Sequence, residues 1–125
     1  MDVTANVHQI KGSTNFEEVI ASNEIVFVDF WAKWCAPCKS FFPTYEQISK
    51  LYPNIAFTQV DIEAEQELAQ AFEIRSIPHL MVFKKGIAVY SESGSMPLST
   101  LKELAELAIA ADVSDIVENL ADISK

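Results

Sequence analysis

Apolar residues recur along this chain with two different periods, and the changes between them lay out its elements. Ile25-Val26-Phe27-Val28 and Phe30-Trp31 form an apolar run broken only by Asp29, which reads as a strand buried on both faces, the parallel-sheet type. From Cys35 to Tyr52 the apolar positions Phe41, Tyr45, Ile48 and Tyr52 recur at helical spacing. Pro43 lies inside that helix and is expected to kink it, because its ring removes a backbone hydrogen bond. Upstream, Val7–Ile10 reads as a short strand, and Thr14 and Glu17 have capping-box spacing beside Phe16, Val19 and Ile20. Downstream, Ile55–Ile62 reads as a strand and Ala64–Phe72 as a short acidic helix with Leu68 and Phe72 inward. Leu80–Phe83 and Ile87–Tyr90 flank Lys84-Lys85-Gly86 as an antiparallel hairpin. Thr100 and Glu103 repeat the capping-box spacing at a helix faced by Leu101, Leu104, Ala105 and Ala108.

The resulting order, β-α-β-α-β-α-β-β-α, predicts an α/β fold with a central mixed sheet flanked by helices on both faces. Residues 1–110 carry that pattern. Beyond them Val113, Ile116, Val117, Leu120 and Ile123 form an amphipathic helical stripe, with Asp112, Asp115, Glu118 and Asp122 on the other faces. Residues 111–125 are therefore expected to add a short C-terminal helix, packed on the domain or used for association.

Length and composition narrow the class. At 125 residues the chain suits one domain with a substantial core, and with half its residues hydrophobic it is not of disordered type. No apolar run reaches the length of a membrane span. The formal net charge of −9 argues against nucleic acid and anionic membranes as partners. Met1–Asn6 lacks the basic and apolar regions of a signal peptide, and the two cysteines stand together in one motif. Both observations point to a reducing compartment, the cytoplasm, where a dithiol is chemical rather than architectural.

Those cysteines carry the chemistry. Trp34-Cys35-Ala36-Pro37-Cys38 follows the apolar strand and opens a helix, which puts Cys35 at the first turn and Cys38 one turn later on the same face. A helix N-terminus presents unsatisfied N–H groups and partial positive charge, which stabilise a thiolate. Two residues between the sulfurs let them close a small disulfide ring, and the second thiol can attack a mixed disulfide formed by the first. Half of a zinc site is the rival reading, but tetrahedral zinc takes four ligands, and only His8 and His79, both distant in sequence, are left to offer nitrogen. A purely structural bridge is a poor reading too, since so short a loop restrains the unfolded chain little. A cluster shared between two chains stays open.

Taken together, Val28-Asp29-Phe30-Trp31-Ala32, Trp34 to Lys39, Pro43, Arg75-Ser76-Ile77-Pro78 and Gly94 resemble the thioredoxin family, over approximately Val7 to Ala110. The resemblance implies a thioredoxin fold and a protein-disulfide reductase that works by dithiol–disulfide exchange. It assigns Cys35, nearer the terminus and more exposed, as nucleophile, and the more buried Cys38 as resolving thiol. Asp29, a carboxylate costly to bury in an apolar strand, becomes the buried proton acceptor for Cys38. Trp34, Ala36, Pro37, Ile77, Pro78 and Gly94, with Trp31 and Met96, would form an apolar docking surface for extended segments of protein substrates. The resemblance also implies a cis peptide at Ile77–Pro78, no bound cofactor, and recharging by a thioredoxin reductase that draws on NADPH. Disulfide-containing proteins and that reductase are the expected partners of a monomer.

Three positions depart from the commonest family pattern. Ala36 stands where glycine is usual, Gln59 where many relatives have a lysine near the buried aspartate, and His79 where threonine commonly follows the proline. Gln59 could bridge to Asp29, and His79 is expected to be structural or solvent-facing, with tuning of the sulfurs as its sharper alternative. Two other functions remain compatible with the sequence: a disulfide oxidase or isomerase, and an adaptor built on the same fold.

Overall fold

Nine elements follow one another in the computed structural model, which describes residues 6–113: β1 (Val7–Gln9), α1 (Gly12–Ser22), β2 (Ile25–Trp31), α2 (Ala36–Leu51), β3 (Ala56–Asp61), α3 (Gln66–Ala71), β4 (His79–Lys84), β5 (Ile87–Ser93) and α4 (Leu98–Ala110). The predicted helical stripe from Ile116 to Ile123 lies outside the described residues. The strands form one mixed sheet in the order β1-β3-β2-β4-β5. β1 and β2 both run parallel to β3, β2 runs antiparallel to β4, and β4 pairs antiparallel with β5.

The central place of β2 explains its unbroken apolar run. Its side chains alternate between two cores. Ile25 and Phe27 pack with Phe41, Tyr45, Ile48 and Leu101 from α2 and α4, while Val26, Val28 and Phe30 pack with Phe16 of α1 and Leu68 of α3. Each large apolar side chain buried in this way contributes about 1.5–3 kcal/mol. α2 continues as one helix through Pro43.

Both capping-box assignments are corrected. α1 begins at Gly12, so Thr14 lies inside the helix, and neither α1 nor α4 has a side-chain cap at its own N-cap residue. A tertiary partner meets one donor, since the Gly12 N–H donates to Glu65 Oε1 at 2.9 Å, while within α1 Asn15 reaches back and its Oδ1 accepts from the Lys11 N–H at 2.8 Å. α4 begins at Leu98, where the N–H groups of Thr100 and Leu101 donate to Pro97 O at 3.1 and 3.2 Å. The predicted hairpin is present, but its turn is only Lys85-Gly86, both at positive φ (51° and 82°). That conformation matches the twist of the flanking strands.

Lys84, read from the sequence as part of the turn, is instead the last residue of β4 and is buried. Its Nζ donates to Ala108 O at 2.6 Å, Ile109 O at 2.9 Å and Ala111 O at 2.6 Å, with Glu24 Oε2 at 3.8 Å. The ammonium thereby satisfies carbonyls that the end of α4 leaves without intrahelical donors.

Candidate active site

The chain leaves the sheet at Trp31 and turns within four residues into α2. The Cys35 N–H donates to Ala32 O at 3.2 Å, which closes that turn. Cys35 has extended backbone geometry and is the N-cap of α2, one position before the helix proper. Its sulfur stands where a Ser or Asp oxygen commonly caps, and the Cys38 N–H points at it across 3.2 Å. Pro37 lies in the first turn, where its missing N–H would have had no intrahelical acceptor.

Cys35 and Cys38 are joined as a disulfide with a Cα–Cα separation of 5.3 Å. In this oxidised form the expected contrast in exposure between them is absent, since the two are 4% and 3% exposed. The ring turns the Cys35 sulfur inward, 3.8 Å from Ile77 O. Ala32 and the half-buried Trp31, Ile62 and Ile77 complete the packing around the pair.

Two chain segments meet beside the disulfide. Ile77–Pro78 is cis, and the Gly94 N–H donates to Pro78 O at 2.7 Å, tying the loop after β5 to the loop before β4. Gly94 has φ 107°, a conformation that L side chains rarely adopt. Of the expected docking residues, Trp34 is 65% exposed, and Ala36, Pro37 and Gly94 are also exposed. Ile77 is half-buried and Pro78 is buried. Met96 packs against the α2–α4 core.

Asp29 is 0% exposed. The β2–β3 register sets it directly opposite Gln59, and Gln59 Nε2 donates to Asp29 Oδ2 at 3.0 Å. Gln9, opposite Gln59 on the other side, donates from Nε2 to Gln59 Oε1 at 2.6 Å. Asp29 Oδ1 is buried without a hydrogen-bond partner. Burial pushes the Asp29 carboxyl up to about 7, and the Gln59 amide opposes part of that rise. The phenol of Tyr45, which donates to Thr58 O at 2.7 Å, is likewise pushed up, first by burial and then by the Asp29 charge. The expected link between position 59 and Asp29 is thus a direct amide–carboxylate bond.

Gln59 and Gln9 also line an open cavity of about 610 Å³ together with Cys38, Trp31, Lys33 and Lys39. Cys38, the expected resolving thiol, therefore borders the same space as the amide that holds Asp29. Gln9 escaped sequence reasoning because only the β1–β3 register brings a residue so distant in the chain opposite Gln59.

His79 faces the other core. Its ring meets Phe30 edge-on at 6.2 Å between centroids, and Nε2 is hydrogen-bonded with Ser91 Oγ at 2.8 Å. Burial lowers the pKa of the ring, and the nearby Glu92 charge opposes this. The ring is thus engaged by Phe30 and Ser91. Among the described residues no group of three or more His, Cys, Asp or Glu side chains is placed to hold a metal ion, and no helix is long and apolar enough to cross a membrane.

Comparison with known proteins agrees with this geometry. The sequence model of the thioredoxin family matches residues 7–106. A protein described as putative thioredoxin 2 of Streptomyces coelicolor is 41% identical over 108 residues, covering 86% of this chain and 81% of that protein. Thioredoxin 1 of Plasmodium falciparum is 38% identical over 97 residues, covering 78% of this chain and 92% of its own length. Among solved structures, a thioredoxin of Plasmodium falciparum superimposes with a TM-score of 0.74 at 37% identity, covering 79% of this chain and 96% of that one. A mutant thioredoxin of Halobacterium salinarum gives a TM-score of 0.79 at 29% identity, with 85% and 93% covered.

Proposed function

The chain belongs to the thioredoxin family of thiol–disulfide oxidoreductases, and from that premise we propose how its residues divide the work of reducing protein disulfides. The Cys35 thiolate attacks one sulfur of the substrate disulfide, forms a mixed disulfide and expels the other substrate sulfur as a thiolate. The Cys38 thiolate then attacks the Cys35 sulfur, closes the Cys35–Cys38 disulfide and expels the second substrate thiolate. Two electrons pass to the substrate, and the protons released by the two cysteines balance those its thiolates take up. Asp29 accepts the proton of Cys38. Its buried carboxyl, with a pKa near neutrality, is suited to exchanging that proton at working pH.

The observation that carries this reading is the Cys35–Cys38 disulfide at the start of α2, with Cys38 bordering the cavity that Gln59 shares. Trp34, Ala36, Pro37 and Ile77 receive an extended substrate segment, supported by Pro78 and Gly94. Ile77 suits strand-like pairing, since it lies two residues before the first ladder pair of β4. A thioredoxin reductase using NADPH recharges the disulfide. The protein works as a monomer in the cytoplasm, a setting that agrees with the placement of both cysteines in the redox site. Residues 1–110 make up the catalytic domain, and residues 111–125 are an accessory extension.

Trapping tests the division of roles. Reduced Cys38→Ser protein mixed with a disulfide-bridged peptide should accumulate a covalent mixed disulfide at Cys35, located by mass spectrometry, whereas Cys35→Ser should accumulate none. Adduct on Cys38 in the Cys35→Ser variant, with none on Cys35 in its counterpart, would reverse the assignment.

A further inference from the structure

Gln9, Gln59 and Asp29 lie in one row across β1, β3 and β2, with their side chains joined end to end. The chemistry of the three groups dictates the order of donors. An ionised carboxylate can only accept, so the atom that Gln59 turns toward it must be Nε2. Gln59 Oε1 then faces away from Asp29 and needs a donor, which Gln9 Nε2 supplies at 2.6 Å. When Asp29 is protonated that requirement is lifted, because the carboxyl keeps an accepting C=O and gains an O–H donor. A carboxyl O–H can donate to Gln59 Oε1, Gln59 Nε2 then points outward, and Gln9 must offer its Oε1. Two amides in series can serve either arrangement, but only the one with Nε2 inward suits the ionised carboxylate.

We propose that Gln9 is a positioning residue for disulfide exchange, setting through Gln59 which amide atom Asp29 meets, so that Nε2 faces the carboxyl whenever Asp29 is ionised. The role rests on the reading of Asp29 as proton acceptor for Cys38. Gln9 is half-buried and lines the cavity that Cys38 and Gln59 also line, which places the outer end of the relay at the space where protons exchange with solvent.

The other groups around Asp29 do not replace this device. From α2 come the Tyr45 phenol, which is committed to Thr58 O, and Cys38, which borders the cavity; β4 places apolar Leu80 opposite Asp29. Lys11, Lys33, Lys39, Asp61 and Glu65 surround the cavity beyond the amides. Their charges act on Asp29 whichever neutral residue stands at position 9, so neutral substitutions isolate the relay.

The test is a double-mutant cycle on the reduced full-length protein: wild type, Gln9→Met, Gln59→Met and both together. The Asp29 carboxyl is followed by carbon-13 NMR against pH, and the pH profile of the resolving step is measured with a disulfide-bridged peptide. Gln9→Met should raise the Asp29 midpoint, because Gln59 is no longer held with Nε2 inward. The expected increase in proton affinity is about threefold, the range of one neutral hydrogen bond. The shift should vanish in the Gln59→Met background, and in the Gln59-containing protein the rate profile should move with it. A midpoint that Gln9→Met leaves in place overturns the proposal, as does an equal shift with and without Gln59, which is what a general loosening of β1 would produce. Asp29→Asn separates the premise: an unchanged rate profile in that variant refutes the acceptor role, and with it the part of Gln9 in the reaction, even if the midpoints couple.

Discussion

Asp29 shows how one buried carboxyl can weigh on the fold. Its carboxyl has an ordinary pKa of 3.8 and is raised by burial to about 7 in the folded chain. Between these values the folded chain holds a proton that the unfolded chain has released, so stability falls as pH rises from about 4 through 7 and levels off above. Asparagine at this position does not titrate. Asp29→Asn should therefore match wild type most closely at about pH 4 and exceed it most at about pH 8, by on the order of 4 kcal/mol, in urea unfolding of the oxidised protein. A stability difference independent of pH would show that Asp29 ionises in the folded chain as it does in the unfolded one. Asp29 itself was legible in the sequence, because a carboxylate inside an apolar strand must be paired, protonated or functional. Gln9, which reaches Asp29 only through Gln59, was not, since glutamine on a short edge strand has no local anomaly to betray it.

At the scale of elements, the periodicities located strands and helices well, and their ends poorly. β2 occupies Ile25–Trp31 as its apolar run predicts, because a central strand must be apolar on both faces. The Thr-x-x-Glu spacings failed as start signals because residues three apart also adjoin inside a helix, and the first donor of α1 is instead met by Glu65 from elsewhere in the chain. The opposite end of α4 depends on Lys84, whose ammonium reaches three carbonyls. Lys84→Met keeps much of the side-chain volume and removes every donor. It should lower unfolding free energy by about 2 kcal/mol, read from chemical denaturation, with exchange activity at folded temperatures unchanged. Loss of activity without loss of stability would instead tie α4 to the redox site.

At the scale of the whole molecule, the mixed sheet brings together pieces remote in sequence: the β2–α2 junction with the disulfide, the loop before β4, and the loop after β5 joined to it through Gly94 and Pro78. Every one of these pieces lies before α4, and the family match ends at residue 106. A chain ending at Val113, which is buried and so retained, should keep its rate of disulfide reduction within about twofold, as expected where no site residue is touched. A large loss on truncation would assign the C-terminal residues a part in catalysis or in maintaining the domain.

The sequence by itself determined the fold class, the central strand and the chemistry, since these depend on local facts: a run of apolar residues, two thiols at a spacing that closes a ring, and a charge where none belongs. Only the tertiary structure decided which side chains complete those features. It set Gln9 and Gln59 in line with Asp29, turned His79 toward Phe30 and Ser91, and brought Lys84 to the end of α4. The physical reason is the same in each case. A hydrogen bond depends on separation in space, and strand register and helix packing, which set that separation, are properties of the whole chain.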